Sequence, residues 1–213
     1  RKQIHPGADD NASGVAGVME LAHYFSKIKK NDPKKIPVTL VFAVWSAEEI
    51  GVIGSSKFLK STSTELKNNI KAYINMDMIG RLKDYLQIQG VGSSKEWTGL
   101  IESILVNQNL SVKLTEDPYL PTDSMSFYMA KIPTISLFTG AHEDYHSPRD
   151  LASRINYSGE EKILFLTKNI IKSVMTKTLP YELVSSQKNQ LEGRRFRIFL
   201  GTIPDYSQEG VKG

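Results

Sequence analysis

The sequence predicts an α/β protein, on three observations. Near-continuous runs of β-branched and aromatic residues recur at 37–45, 70–76 and 132–138, as expected of strands buried on both faces. Stretches with apolar residues at helical spacing lie around them, at 13–30, 97–108 and 159–178. A chain of 213 residues with 40% hydrophobic content is long enough for one substantial core with a small appendage.

The chain is organised around the turn Pro6-Gly7-Ala8-Asp9-Asp10-Asn11-Ala12-Ser13-Gly14. It runs into a helix whose apolar face is Val15, Val18, Met19, Ala22, Phe25 and Ile28, and which Asn31-Asp32-Pro33 stops. Ser13 or Asn11 is placed to cap that helix. The adjacent acids Asp9 and Asp10 suit a hard or borderline cation, and they equally suit the positive end of the helix, worth about 0.3–1 kcal/mol.

The run Pro37 to Trp45 reads as a buried strand and empties into Ser46-Ala47-Glu48-Glu49-Ile50-Gly51. Paired carboxylates at a strand end lie where open α/β sheets keep their active sites. One of the two can hold a metal while its neighbour, diverging from it, takes a proton from water. The plain alternative is a surface pair capping a helix from Ile50 to Lys60.

A second strand, Ile70 to Met76, ends at Asn75-Met76-Asp77-Met78-Ile79-Gly80. An acid among Met and Ile needs a partner, because an unpaired buried carboxylate costs several kcal/mol. Metal ligation or pairing with Arg81 would supply one.

Tyr85 to Gln89 reads as a short strand, Trp97 to Gln108 as an amphipathic helix, and Leu110 to Leu114 as a further strand. Asp123, Ser124 and Ser126 open another helix. The last strong strand, Ile132 to Phe138, leads into Thr139-Gly140-Ala141-His142-Glu143-Asp144-Tyr145-His146-Ser147-Pro148-Arg149-Asp150, a loop with two of the four histidines. Carboxylates beside a histidine can fix its tautomer, as zinc sites require, although ordinary loops carry histidines too. A long helix from Gly159 to Thr178 packs Ile163, Leu166, Ile170 and Val174 inward.

Composition narrows the function. The chain has no cysteine, which excludes thiolate metal sites, disulfides and thiol catalysis. The net charge of +4 is dispersed, with local clusters only at Lys29-Lys30, Lys34-Lys35 and Arg194-Arg195-Arg197, so no nucleic-acid partner is expected. No stretch is apolar enough to span a bilayer as a helix. Asp10, Glu49, Asp77 and His146 each follow a strand or open a helix on one predicted sheet edge, and this sulfur-free set of oxygen and nitrogen donors suits zinc.

The four motifs 7–14, 46–51, 75–81 and 142–150 resemble, in order, those of the di-zinc exopeptidase family that contains the secreted bacterial leucine aminopeptidases and the glutamate carboxypeptidases. The resemblance implies a three-layer α/β/α fold with a mixed, mostly parallel central sheet. It implies that Asp10 bridges two zinc ions, that Glu49 and His146 complete one zinc site and that Asp77 serves the other. Glu48 would be the general base, Tyr145 would hydrogen-bond the reacting carbonyl, and Asp9 would be a turn or supporting residue. The activity implied is removal of N-terminal residues from peptides; an extracellular or periplasmic location follows from the resemblance alone. A glutaminyl-cyclase-like acyl transferase and a non-catalytic binding module are the alternatives on related scaffolds.

One departure sets a further expectation. The family's first ligand is a His in a His-x-Asp motif upstream of the turn, whereas His5 stands alone before Pro6. The chain therefore reads as a catalytic domain over 1–179 that lacks N-terminal strands and the first His ligand, with one zinc fully liganded, weak activity and exposed edges open to strand exchange. Residues 180–213 read as a linker and the start of a PDZ-like domain.

Overall fold

The computed structural model of the chain describes residues 3–106 and 108–184. The predicted linker from Ser185 and the predicted PDZ-like segment lie outside the described residues.

Helices α1 (Gly14–Asn31), α2 (Ile53–Ser61), α3 (Thr64–Asn69), α4 (Glu96–Leu105), α5 (Asp123–Met129) and α6 (Tyr157–Thr176) surround strands β1 (Tyr73–Met76), β2 (Leu86–Gln89), β3 (Val112–Thr115) and β4 (Thr134–Phe138). The sheet order is β1-β4-β2-β3. β1 pairs with β4 and β2 with β3 in parallel, while β2 and β4 run antiparallel, so the sheet is mixed and mostly parallel as predicted.

Alternation along the strands assigns the two faces. Ile74, Met76, Leu86, Ile88, Ile135 and Leu137 join Leu21, Phe25, Trp97, Ile101, Ile163, Leu166 and Ile170 in the main core beneath α1, α4 and α6. The opposite face carries Asn75, Gln87, Gln89, Thr134 and Ser136, all buried. At its β1 end, Tyr73 stacks on Phe127 of α5 at 3.7 Å, beside a second cluster of Leu59, Phe127 and Ile132. Helices therefore cover both faces. Beyond α6 the chain stays docked, with the Glu182 N–H bonded to the Ser93 carbonyl and the Val184 N–H to the Tyr128 hydroxyl, each at 2.8 Å.

The run 37–45 departs from expectation: it forms no strand, and Val41 and Val44 are 73% and 59% exposed. No backbone hydrogen bond joins it to β1 among the described residues. A cavity of about 940 Å³ lies between them, walled by Val38 to Trp45 on one side and Ile70 to Met76 on the other. The apolar composition that signals a strand is present, but the ladder partner that would turn composition into a strand is not alongside. Trp45 reaches across, its indole N–H donating to the Tyr73 hydroxyl at 3.0 Å.

Candidate metal centre

The site lies at the carboxyl ends of β1 and β4, which run parallel and so deliver their loops to one edge. β1 ends in Asp77, whose N–H bonds the Leu137 carbonyl at 3.1 Å. The 139–150 loop leaves β4 beside it, and the run 37–45 brings Glu48 and Glu49 from the other wall of the cavity. Three non-glycine residues with positive φ stand at these exits: Ala47 before Glu48 (60°), Met78 after Asp77 (51°) and His146 itself (50°). Such left-handed backbone costs of order 1–3 kcal/mol per residue and gathers at functional sites, where a sharp turn aims a side chain.

The turn 8–13 is pinned from within. Gly7 has φ of 63°, and a Cβ on Gly14 would collide with the Asn11 side chain and the Met76 carbonyl. Asn11, not Ser13, caps α1: its Oδ1 accepts the Gly14 N–H at 3.0 Å. The Ser13 hydroxyl instead donates to Asp9 and accepts the Ile79 N–H at 3.1 Å.

Asp10, Glu49 and His146 meet. His146 Nε2 lies 3.1 Å from Asp10 Oδ2 and 2.9 Å from Glu49 Oε1, and the three donor atoms fall within 4.8 Å of one another. Zinc bonds of ~2.0–2.2 Å place tetrahedral ligand atoms about 3.4 Å apart, and the two His146 contacts lie within a few tenths of an ångström of that spacing. Asp77 lies outside that three-residue group.

The electrostatics ask for a cation. Burial, followed by the charges of Asp77, Glu49, Asp123 and Asp10, pushes Glu48 up to about 8. Burial and then Asp10, Glu49 and Asp123 push Asp77 up to about 7. Asp10 is raised to about 6 by burial and by Glu49, against the pull of His146. Acids that raise one another in this way are crowded by like charge, which a bound cation would neutralise. Tyr145 stacks on the His146 ring at 3.8 Å, and burial together with these acids holds its phenol protonated as a donor.

Arg81 does not pair with Asp77. Its guanidinium bonds Asp144 at 3.4 Å and Asp150 at 3.0 Å. Sequence reasoning left three further residues without a role. His142 Nε2 bonds the fully buried Asp9 at 3.1 Å. Asp150 accepts two N–H groups of the turn. Asp123, only 8% exposed, lines the cavity with Oδ1 unpartnered. The signal for Asp123 was an acid opening a helix; the pairings of His142 and Asp150 span more than 130 residues and leave no local trace.

Fold and site together define an α/β protein with a carboxylate–histidine cluster at a strand-end edge that could hold a metal ion. Residues 1–171 match the model of peptidase family M28, and the chain belongs to that family. It is 34% identical over 146 residues to leucine aminopeptidase 2 of Trichophyton rubrum, covering 64% of this chain and 28% of that protein. It is 28% identical over 243 residues to an aminopeptidase of Pseudomonas aeruginosa, covering 97% of this chain and 44% of that one. Among solved structures, the aminopeptidase from Aneurinibacillus sp. strain AM-1 superposes with a TM-score of 0.61 at 27% identity, over 84% of this chain and 41% of that one. The chain spans less than half the length of these relatives. The glutaminyl cyclase of Porphyromonas gingivalis shares the fold, at 16% identity and a TM-score of 0.57, over 79% of this chain and 67% of that one.

Proposed function

We propose that this chain carries a zinc-dependent exopeptidase centre that removes N-terminal residues from peptides. The observation that carries the reading is the meeting of Asp10, Glu49 and His146 beside the raised, proton-holding carboxyl of Glu48. Asp10, Glu49 and His146 would hold one zinc, and Asp77, from the neighbouring strand end, would serve a second that shares Asp10. The chemistry zinc supplies when bound is Lewis acidity, which polarises a carbonyl and lowers the pKa of water.

The remaining steps belong to the chain. Glu48, ionised once a bound cation offsets the like charges that raise it, would accept a proton from the water that attacks the peptide carbonyl and return it to the departing amine. Tyr145 donates its hydroxyl hydrogen to the carbonyl oxygen as charge builds there. Among the described residues one three-residue ligand group is present, which supports a single zinc held by Asp10, Glu49 and His146.

Residues 1–179 form the catalytic domain in this reading, with Glu182 and Val184 docked on it, and the linker and PDZ-like opening proposed for the rest of 180–213 fall outside the described residues. The exposed Val41 and Val44 favour association of copies by strand exchange. An extracellular or periplasmic location rests in this reading on the family relationship alone.

The test is zinc content together with hydrolysis of leucyl p-nitroanilide, with an N-terminal Gln peptide assayed in parallel. Zinc-dependent release of p-nitroaniline is the expected result. Cyclisation of the Gln peptide without aminopeptidase turnover would assign the acyl-transferase alternative, and zinc binding with neither activity would assign a binding module.

A further inference from the structure

Asp150 belongs to the loop that carries His146, yet it does not reach the ligand group. It is 1% exposed and faces the turn that carries Asp10, 140 residues away in sequence. Its Oδ2 accepts the N–H of Asp9 at 2.9 Å and that of Asp10 at 3.1 Å, and its own carbonyl accepts the N–H of Ala8 at 3.2 Å. Three successive N–H groups of the turn thus end on one residue. Its Oδ1 accepts from Arg81 Nη2 at 3.0 Å, which compensates the buried charge. Arg81 stands four residues past Asp77 and also grips Asp144, itself held by Arg149 and Arg154.

We propose that Asp150 is the positioning residue of the metal centre, locking the backbone of Asp10 to the loop of His146 so that two ligands from opposite ends of the domain move as one body. A carboxylate is suited to this, since a single oxygen can take two converging N–H groups while the other binds the guanidinium. Its separation from His146 is only four residues, so the link between the two ligands is short and stiff. The inference rests on the ligand reading given above, because it concerns how those ligands are held.

The test compares Asp150→Asn and Asp150→Ala with the unaltered chain. Zinc affinity is measured by chelator competition, and the cobalt(II) absorption spectrum reports ligand geometry independently of turnover. Folding is checked by circular dichroism. Asn keeps an oxygen for the two N–H groups while giving up the charge and the acceptor that Arg81 uses, so its zinc affinity stays within about threefold and its cobalt spectrum is unchanged, while Ala loses about tenfold or more and its spectrum shifts.

Equal losses in Asn and Ala would mean that the ion pair with Arg81 matters and the N–H contacts do not, and would overturn the proposal; so would an Ala variant that is folded and binds zinc normally. If Ala does not fold, Asn alone decides, and loss of zinc binding in a folded Asn variant overturns the proposal. Glu49→Ala separates this from the reading beneath it: an unaltered chain that takes up no zinc, or takes it up regardless of Glu49, sinks the ligand assignment and the positioning role with it, whereas Glu49-dependent uptake with an indifferent Asp150 sinks the positioning role only.

Discussion

Asn11 brackets Asp77: its amide donates to the Met76 carbonyl at 3.0 Å and its oxygen accepts the Met78 N–H at 3.2 Å, so one side chain grips the backbone on both sides of the acid. The same oxygen caps α1 through Gly14. Asn11→Ala leaves these groups unpaired at a cost of about 1–3 kcal/mol. The urea midpoint of the metal-free protein is expected to fall accordingly.

Glu48 does no ligating in the proposed scheme, and its substitution should separate chemistry from metal binding. Glu48→Gln is expected to lower kcat by about 10²–10⁴ with KM and zinc affinity little changed. Steady-state kinetics on leucyl p-nitroanilide with zinc analysis of the same sample checks both. A matching loss of zinc would make Glu48 a ligand.

His142 has a different job from His146, four residues on. It bonds Asp9, which is fully buried and whose carboxyl burial raises, against the pull of the Gly80 N–H, Ser13 and His142. His142→Ala is expected to destabilise the fold by about 1–3 kcal/mol in chemical denaturation, through the lost partner of a buried acid. His146→Ala, at an exposed side chain, is expected to leave the metal-free stability nearly unchanged and to abolish tight zinc binding in the same titration.

The raised carboxyls fix the sign of the pH dependence. Asp10, Asp77 and Glu48 hold protons in the metal-free fold at pH values where the unfolded chain has released them. The folded state then binds more protons, so stability falls as pH rises from about 4 towards about 8, the reverse of ordinary acid denaturation. Zinc binding requires the deprotonated ligands and gains with pH. Thermal melts with EDTA should therefore show Tm dropping between about pH 5 and about pH 8, and zinc should reverse that slope.

What the sequence made legible was local. Asp10, Asp77 and His146 could be picked out because each follows a strand or opens a helix, and Glu49 because it stands in a short acidic motif after an apolar run. The structure brings Asp10, Glu49 and His146 together and leaves Asp77 at the end of β1, just outside them. The network of Asp9, His142, Arg81 and Asp150 was not legible, since it depends on side chains meeting from distant parts of the chain. The run 37–45 was misread for a related reason: its composition states a preference for burial, but pairing depends on what lies next to it, and here that is a cavity.

That cavity has a consequence for the metal centre. One wall ends in Glu48 and Glu49, and the other ends in Asp77. Backbone ladders hold neighbouring strands about 4.8 Å apart, and no ladder spans this gap among the described residues, so nothing of that stiffness sets the spacing of the two halves. Side chains bridge the gap instead, Trp45 bonding Tyr73 and packing on Phe127, and a cation held by acids of both walls would add a tie between the two halves at this end.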